Sequence, residues 1–358
     1  MPKYITGDHS DDGVDRRGFL RCMAWAGTGM LWTMRGGILS SSALGKVASL
    51  GDAVAASDLF FILISDSHIG FDKKANANVT ATLQAAIDRI NALPRQPEFL
   101  LHTGDITQLS KDDEFDTARQ VIAGARTRSG RVFYVPGEHD VIGDNGALFL
   151  QRYGKGATGG GWYSMDHSGV HFIGLVNVLD LKPGGLGRLG KDQLEWLEQD
   201  VKHLSSSTPI VVFAHVPLWS VYPAWGWGTD DGAQALRYLA RFRSVTVLNG
   251  HIHQVVQKVE GHMTFHTALS TAFPQPAPGT APAPGPMAVP AEQLRHFLGL
   301  TSVKYLESRH TLALVDSALV GTAATAEMWR AAAPGPENGG APAGPATANE
   351  LRIANFRF

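Results

Sequence analysis

Residues 59–68 read LFFILISDSH, six apolar residues followed by Ser, Asp, Ser and His. A near-continuous hydrophobic run of this length is typical of a strand that is covered on both faces. Asp66 and His68 follow directly at the carboxyl end of that run. The segment therefore predicts a buried strand whose end carries two side chains able to bind a metal ion.

From residue 58 onward, short apolar runs alternate with longer amphipathic ones, which is typical of an α/β domain. Helices are predicted over 78–93, 113–125 and 191–204. Strands are predicted over 99–103, 131–135, 210–214 and 245–248, with a hairpin over 162–176, antiparallel strands within 255–270, and one or two strands over 303–320. The pattern favours two packed sheets flanked by helices.

Composition limits the classes of function. The chain has 358 residues, 44% of them hydrophobic and 18% charged, which fits one large globular domain with or without an appendage. The net charge of −2 does not indicate the basic surface that binding to a nucleic-acid polymer or an anionic membrane requires. Cys22 is the sole cysteine, so a metal ion elsewhere in the chain has to be bound by nitrogen and oxygen.

The N-terminal segment has the features of a targeting signal. Residues 15–21 read DRRGFLR and resemble a twin-arginine export signal, and an uncharged, moderately apolar stretch over 22–34 follows. Residues 53–55 read AVA, the small-residue pattern that a signal peptidase cleaves. The apolar stretch is too short to cross a bilayer, which needs about 20 residues, so no permanent membrane anchor is expected.

We therefore expect the twin-arginine translocon as a partner during export and a periplasmic or secreted mature protein. The alternative is an ordinary disordered arm. The predicted domains are a signal peptide over 1–56, a globular domain over 57–331, and a linker with a C-terminal tail over 332–358.

Two segments are dominated by proline, alanine and glycine, at 274–290 and 332–347. Such composition buries too little apolar surface to order itself. The first is predicted to be a mobile loop within the domain and the second a linker, after which residues 351–358 allow a terminal strand.

Five short motifs follow predicted strands, and each contains a residue type that binds metal ions. In a chain with 14 histidines, a lone histidine at a strand end is more often structural than a ligand. Five such motifs in series favour ligands over structural residues, because the carboxyl ends of strands in an open α/β sheet converge on one crevice. The motifs are Asp66-Ser67-His68, Gly104-Asp105, Gly137-Glu138-His139-Asp140, His215 and Gly250-His251-Ile252-His253.

In this order the motifs resemble those of the calcineurin-like metallophosphoesterase superfamily, whose pattern is D-x-H, GD, GNH[D/E], H, GHxH. The resemblance covers roughly residues 59–271 and includes the QLEWL segment at 193–197. It implies a four-layer α/β/β/α sandwich of two mixed sheets flanked by helices. The compact layout is most similar to the class III cyclic-nucleotide phosphodiesterase type. Purple acid phosphatases instead require a tyrosinate three residues after the bridging aspartate, where this chain has Gln108.

The resemblance implies two divalent or trivalent metal ions. It assigns Asp66, His68 and His253 to the first ion and His215 and His251 to the second, with Asp105 bridging both. Glu138 stands at the position that is normally the asparagine of GNH and that completes the second site.

Glu138 is the one departure from the family pattern. A carboxylate ligates a cation as well as an amide oxygen does, but it adds a negative charge and removes an NH2 donor. We expect a tighter or differently selected metal at the second site and a less electrophilic centre. The alternative is that Glu138 turns away and leaves the second site weak.

These residue types suit phosphoester hydrolysis. A phosphoester is an anion that repels hydroxide, and two cations about 3.5–4 Å apart both neutralise it and acidify a bridging water, which implies attack by a metal-bridging hydroxide. Mixed Asp and His ligands favour Fe, Mn or Zn over Mg or Ca. His139 is expected to protonate the leaving oxygen, and Asp140 to orient the His139 imidazole.

The sequence identifies residues that contact the rest of the substrate less specifically than it identifies the metal ligands. The loop after His215 contains four aromatic residues, which either form a wall against the substrate or pack the loop onto the sheet. Trp225 and Trp227 are the candidate substrate contacts in that loop. Arg188, in a glycine-rich loop before a predicted helix, is a candidate phosphate contact.

The sequence thus favours an exported phosphodiesterase of small-molecule phosphoesters and leaves open whether it also hydrolyses phosphomonoesters. The alternatives are a phosphomonoesterase, and a non-catalytic exported protein that binds metal or phosphate at an altered second site. His139 and Asp140 favour an enzyme, because a binding protein has no need of them. The particular phosphoester, the identity of the metals and the oligomeric state are left open.

Overall fold

The computed structural model describes residues 30–35, 38–43, 59–306 and 311–332. The arginine pair at 16–17, the AVA segment at 53–55, and residues 333–358 lie outside these ranges. The export signal, its cleavage site, the C-terminal linker and the terminal strand over 351–358 therefore stay predictions.

The described ranges contain thirteen β-strands. The first seven are β1 (Met30–Arg35), β2 (Ile38–Ala43), β3 (Leu59–Ile64), β4 (Phe99–His102), β5 (Arg131–Tyr134), β6 (Tyr163–His167) and β7 (Val170–Gly174). The others are β8 (Ile210–Ala214), β9 (Val245–Asn249), β10 (Gln257–Glu260), β11 (Met263–Thr267), β12 (Gly299–Leu306) and β13 (Thr311–Ala318).

The strands form two mixed sheets. The first has the order β2-β1-β13-β12-β3-β4-β5, and the second has the order β10-β11-β9-β8-β7-β6. Strands β3, β4 and β5 are parallel, as are β7, β8, β9 and β11. The carboxyl ends of these parallel strands supply the loops that carry the five motifs.

Strand β3 shows why the sheets pack against each other. Its side chains alternate between the two faces of the sheet, as in any strand. Phe60, Ile62 and Ile64 pack with the helices on the outer face. The residues between them, Leu59, Phe61 and Leu63, pack against apolar side chains of the second sheet. A strand buried on both faces is therefore apolar throughout, as residues 59–64 are.

Helices cover the outer faces of both sheets. In α1 the side chain of Asn78 caps the first turn by accepting from the backbone N–H of Ala81 at 3.0 Å. No helix in the described part of the chain is long and apolar enough to cross a bilayer. The helices are α1 (Val79–Asn91), α2 (Asp112–Ile122), α3 (Ala147–Tyr153), α4 (Lys191–Lys202), α5 (Gly232–Leu239), α6 (Leu294–Phe297) and α7 (Ala326–Ala332).

The layers confirm the predicted fold class. Helices α1 and α2 pack on the first sheet, and α4 and α5 pack on the second. The predicted strands and long helices are present, with ends that differ by one to three residues at most positions. The sequence prediction omitted α3, α5, α6 and α7, each of which is no longer than about two turns.

Part of the segment predicted to be a signal peptide is folded in this structure. Strands β1 and β2 form an antiparallel hairpin, and β1 pairs with β13 through Trp32 and Leu314. The hairpin lies at the outer edge of the first sheet. Strand β1 overlaps the apolar stretch over 22–34, which was predicted to be part of a targeting signal and not part of the fold.

The segment over 274–290 is more buried than its composition suggested. Pro276, Pro278 and Met287 are buried. Proline has no backbone N–H to satisfy, so a proline-rich segment can be buried if its carbonyls find donors. Gln254 provides one, because its Nε2 donates to the carbonyls of Gln275 at 2.8 Å and Pro276 at 2.9 Å.

Candidate metal centre

The five motifs meet where the carboxyl ends of the two sheets face each other. Loops after β3 and β4 of the first sheet supply three of the side chains, and a 3-10 turn over Glu138–Val141 after β5 supplies a fourth. Loops after β8 and β9 of the second sheet supply the others. The seven predicted ligands that meet here are Asp66, His68, Asp105, Glu138, His215, His251 and His253.

The backbone at these positions is unusual. Five of the seven candidate ligands have positive φ: Asp66, His68, Asp105, His251 and His253, at 42° to 70°. The left-handed region is disfavoured for residues other than glycine and is often found at functional sites. Here it turns the side chains at the strand ends towards a common centre.

Two motif glycines are required by the close approach of neighbouring loops. A Cβ at Gly137 would lie 2.1 Å from Oδ1 of Asp105, and a Cβ at Gly250 would lie 2.7 Å from Oδ2 of Asp66. Each glycine therefore leaves room for a carboxylate from another strand.

The first group of ligands is Asp66, His68 and His253. Nε2 of His253 lies 3.2 Å from Oδ1 of Asp66 and 3.2 Å from Nε2 of His68. All three side chains are almost completely buried. Their donor atoms lie within 4.8 Å of one another, which suits a single cation between them.

The second group is Glu138, His215 and His251. Oε2 of Glu138 lies 2.8 Å from Nε2 of His215, and Oε1 lies 2.9 Å from Nδ1 of His251. Glu138 therefore turns into the centre, and the alternative in which it turns away is wrong for this structure. Each of its oxygens faces a different histidine.

Asp105 lies between the two groups. Its Oδ2 is 3.5 Å from Nε2 of His68 and 3.4 Å from Nε2 of His215. The other oxygen, Oδ1, accepts the backbone N–H of His139 at 2.9 Å. This position between the two groups is the one expected of a bridging ligand.

Hydrogen bonds on the outer nitrogens orient three of the imidazoles. Nδ1 of His215 donates to the carbonyl of Thr103 at 2.7 Å, and Nδ1 of His253 donates to the carbonyl of Phe273 at 2.6 Å. Nδ1 of His68 donates to Oε1 of Gln108 at 3.1 Å. In the neutral imidazole the other nitrogen, Nε2, then carries the lone pair and faces the centre.

Neighbouring carboxylates and imidazoles shift one another's pKa values in this centre. Burial alone would raise the pKa of Asp66 and of Glu138, but the adjacent imidazoles hold both below their ordinary values. Burial would lower the pKa of His215, yet Asp105 and Glu138 raise it well above the ordinary value. Burial lowers the pKa of His68 to about 3. A cation bound by the second group would require the neutral, unprotonated form of Nε2 of His215.

The donor atoms fit a pair of metal ions. Oε2 of Glu138, Nε2 of His215 and Nδ1 of His251 are buried and lack hydrogen-bond partners of acceptable alignment, although they approach one another closely. Nε2 of His68 and Nε2 of His253 face each other, so two lone pairs meet when both rings are neutral. Sets of two imidazoles and a carboxylate suit borderline metals such as Fe, Mn and Zn.

His139 lies beside the first group. Its ring centroid is 4.8 Å from that of His68, and its donor atom lies within 4.8 Å of those of His68 and Asp105. Burial would lower its pKa, but Asp105, Glu138 and the carbonyl of Gln108 raise it. Distance alone allows His139 to be either a ligand or a proton donor.

The predicted role of Asp140 is wrong. Its carboxylate does not contact the imidazole of His139, which instead donates from Nδ1 to the carbonyl of Gln108 at 2.7 Å. Asp140 accepts the backbone N–H groups of Ile106, Thr107 and Gly137 at 2.8–3.0 Å. The buried carboxylate thus joins the loop after β4 to the loop after β5, because consecutive residues of the 3-10 turn point in different directions.

Gln108 was missed as a site residue. Its side chain contacts His68 and its carbonyl contacts His139. The available signal was its position three residues after Asp105, in a loop that faces His68.

The tryptophans behave as packing residues. Trp225 and Trp227 are 8% and 1% exposed and pack with Ile252, the residue between His251 and His253. The sequence allowed these aromatic residues either to contact the substrate or to pack the loop. The structure favours packing of the loop beneath the GHIH motif. Arg188 is exposed and lines a surface cavity with Trp162, Lys182 and Asp192.

Comparison with known proteins agrees with this geometry. Residues 61–255 match the calcineurin-like phosphoesterase family. The chain is 27% identical over 241 residues to a probable cyclic nucleotide phosphodiesterase of Synechococcus sp., covering 63% of this chain and 85% of that protein. It is 25% identical over 206 residues to a glycerophosphodiester phosphodiesterase of Enterobacter lignolyticus, covering 56% and 71%.

Among solved structures, a dimetal phosphatase from Danio rerio has a TM-score of 0.56 and 13% identity, covering 74% of this chain and 97% of that one. This likeness supports the fold. The family match spans more than half of the chain and includes all seven candidate ligands. The chain therefore belongs to the calcineurin-like phosphoesterase family.

Proposed function

We propose that this chain is an exported phosphoesterase that uses two metal ions to hydrolyse phosphodiester bonds in small molecules. The observation that carries the proposal is the pair of ligand groups, each with two imidazoles and one carboxylate, on either side of Asp105. Two relatives whose names specify phosphodiesterase activity support a diester substrate. The non-catalytic alternative rests on the altered second site, in which Glu138 replaces asparagine. Glu138 turned into the centre keeps a ligand oxygen at that site, which supports the enzyme.

When bound, two cations would neutralise phosphate oxygens and lower the pKa of a water between them. Residues of the chain hold the reacting groups in place. Asp105 keeps the two groups at a fixed separation. His139 has Nδ1–H committed to the carbonyl of Gln108, so only its protonated imidazolium form carries a second proton, on Nε2, that it can donate to the leaving oxygen.

Glu138 distinguishes this centre from the family pattern. It gives the second group a formal negative charge that an asparagine would not supply. We infer that the second site binds its cation more tightly for this reason, and that the centre is less electrophilic. Arg188 stays a candidate phosphate contact. Because Trp225 and Trp227 are buried, we do not propose them as substrate contacts.

Metal binding and hydrolysis should depend together on Asp105. The wild-type protein is expected to bind about two metal equivalents and to hydrolyse bis(p-nitrophenyl) phosphate only when loaded. Asp105→Asn should lower turnover roughly 1000-fold, since loss of a shared ligand removes several kcal/mol of charge stabilisation. Metal analysis and initial rates measure both effects.

Asp113→Asn, an exposed carboxylate of α2, is the matched control and should behave as wild type. One metal equivalent with no turnover on any ester would instead support a binding protein. A panel of cyclic nucleotides, glycerophosphodiesters and phosphomonoesters, assayed with the same loaded protein, identifies the substrate class.

Replacement of Glu138 should affect one site selectively. We expect Glu138→Asn to weaken one of the two sites at least tenfold, about 1.4 kcal/mol, because a neutral amide replaces a carboxylate. The other site should keep its affinity. Calorimetric titration with Mn2+ resolves the two events, and Glu195→Gln, at an exposed ion pair with Lys191, serves as control. Unchanged affinity at both sites would contradict the inferred role of Glu138.

His139→Ala should separate proton donation from metal binding. Turnover of esters with poor leaving groups is expected to fall roughly 100-fold, and that of p-nitrophenyl esters less, because a good leaving group needs little protonation. Metal content should stay at the wild-type level. Loss of metal in this variant would show that His139 is a ligand and not the proton donor.

We propose export from the twin-arginine motif, the apolar stretch over 22–34 and the AVA segment over 53–55. We expect the mature protein to begin after Ala55 and to collect in the periplasm or the medium. Arg16→Lys combined with Arg17→Lys should leave the uncleaved chain in the cytoplasm, since this signal requires the arginine pair. Cell fractionation with N-terminal sequencing measures both. A wild-type chain that stays uncleaved in the cytoplasm would overturn the export proposal and leave the catalytic one standing.

A further inference from the structure

Three histidines of the centre have an outer nitrogen fixed by a hydrogen bond, and one of them differs in its partner. His215 and His253 donate to main-chain carbonyls, of Thr103 and Phe273. His68 donates to a side chain, the Oε1 of Gln108. Among these three ligands, the orientation of His68 is therefore the one that a side-chain substitution can change.

The main chain places Gln108 firmly beside His68. The loop after β4 runs next to the loop after β3 and is joined to it by backbone hydrogen bonds. The N–H of His68 donates to the carbonyl of Asp105 at 2.9 Å, and the N–H of Gln108 donates to the carbonyl of Ile69 at 2.8 Å. The amide of Gln108 is thus held close to the imidazole before any cation binds.

The same residue also fixes His139. The carbonyl of Gln108 accepts Nδ1–H of His139 at 2.7 Å, and the rings of His68 and His139 meet edge to face. One residue therefore orients a ligand of the first site through its side chain and the neighbouring imidazole through its main chain. The side-chain Nε2 of Gln108 also lies 3.2 Å from Nδ1 of His139. A side-chain substitution therefore removes the contact to His68 and this second approach, and keeps the main-chain hydrogen bond to His139.

We propose that Gln108 is a positioning residue that commits the proton of His68 to Nδ1 and thereby presents Nε2 to the first cation. This inference rests on the proposed function, because it presumes that the first group binds a metal ion. A neutral imidazole has one N–H and one lone pair, and a fixed acceptor at Nδ1 decides which nitrogen is free to ligate. Acceptors on the outer nitrogen also raise the basicity of the ligand, and their loss commonly costs 10- to 100-fold in metal affinity.

Three variants at Gln108 separate the acceptor from the bulk of the side chain. Gln108→Met keeps the approximate length without an amide, Gln108→Ala removes the side chain, and Gln108→Glu keeps an acceptor oxygen. We expect Met and Ala to weaken Co2+ binding at one site by roughly 10- to 100-fold and to leave the other site unchanged. Gln108→Glu should stay within about threefold of wild type or bind more tightly. Gln84→Ala, an exposed amide of α1, should change neither site.

Proton NMR of the Co2+-loaded protein provides a second readout. The ring N–H of His68 should give a shifted signal that exchanges slowly in wild type and in Gln108→Glu. It should exchange fast or disappear in the Met and Ala variants, because the acceptor is gone. Circular dichroism confirms that each variant is folded.

Wild-type affinity together with an unchanged N–H signal in both the Met and Ala variants would overturn the role of Gln108 while the proposed function stands. Equal losses in Met, Ala and Glu would also overturn it, since the acceptor would then be irrelevant. A wild-type protein that binds no Co2+ would overturn the proposed function, and this inference with it.

Discussion

The centre depends on one electrostatic constraint: three carboxylates and four imidazoles converge where water can screen them little. A buried carboxylate is stable only if a cation or a proton lies beside it. The imidazole of His215, whose pKa these carboxylates raise, lies beside both Asp105 and Glu138. The Nε2 atoms of His68 and His253 remain face to face at 3.2 Å. Two cations would satisfy all of these donors at once, which is why we regard the arrangement as built for metal binding.

Contacts around the centre stabilise the strained backbone of the candidate ligands. Backbones at positive φ cost about 1 kcal/mol or more each, and five candidate ligands adopt them. The strain is opposed by contacts that have no role in ligation. Asp140 joins two ligand-bearing loops through backbone N–H groups, and the carbonyls of Thr103 and Phe273 fix the imidazoles. The tryptophan cluster beneath Ile252 supports the loop between two histidine ligands.

Much of the site could be predicted from sequence, because strand ends are visible as apolar runs and converge by a general rule of α/β sheets. Asp66 follows such a run and needs no further information. The direction of Glu138 could not be predicted, since a carboxylate can point inwards or outwards from the same backbone. The predicted role of Asp140 is wrong because adjacency in sequence does not imply contact between side chains. The burial of 274–290 was underestimated because Gln254, the donor for its carbonyls, is distant in sequence.

The central claim is that seven side chains hold two cations on either side of Asp105. Anomalous diffraction from a Mn2+- or Zn2+-loaded crystal tests it most directly. The expected result is two peaks about 3.5–4 Å apart, one among Asp66, His68 and His253 and the other among Glu138, His215 and His251. A single peak, or peaks that none of these side chains contacts, would contradict the account.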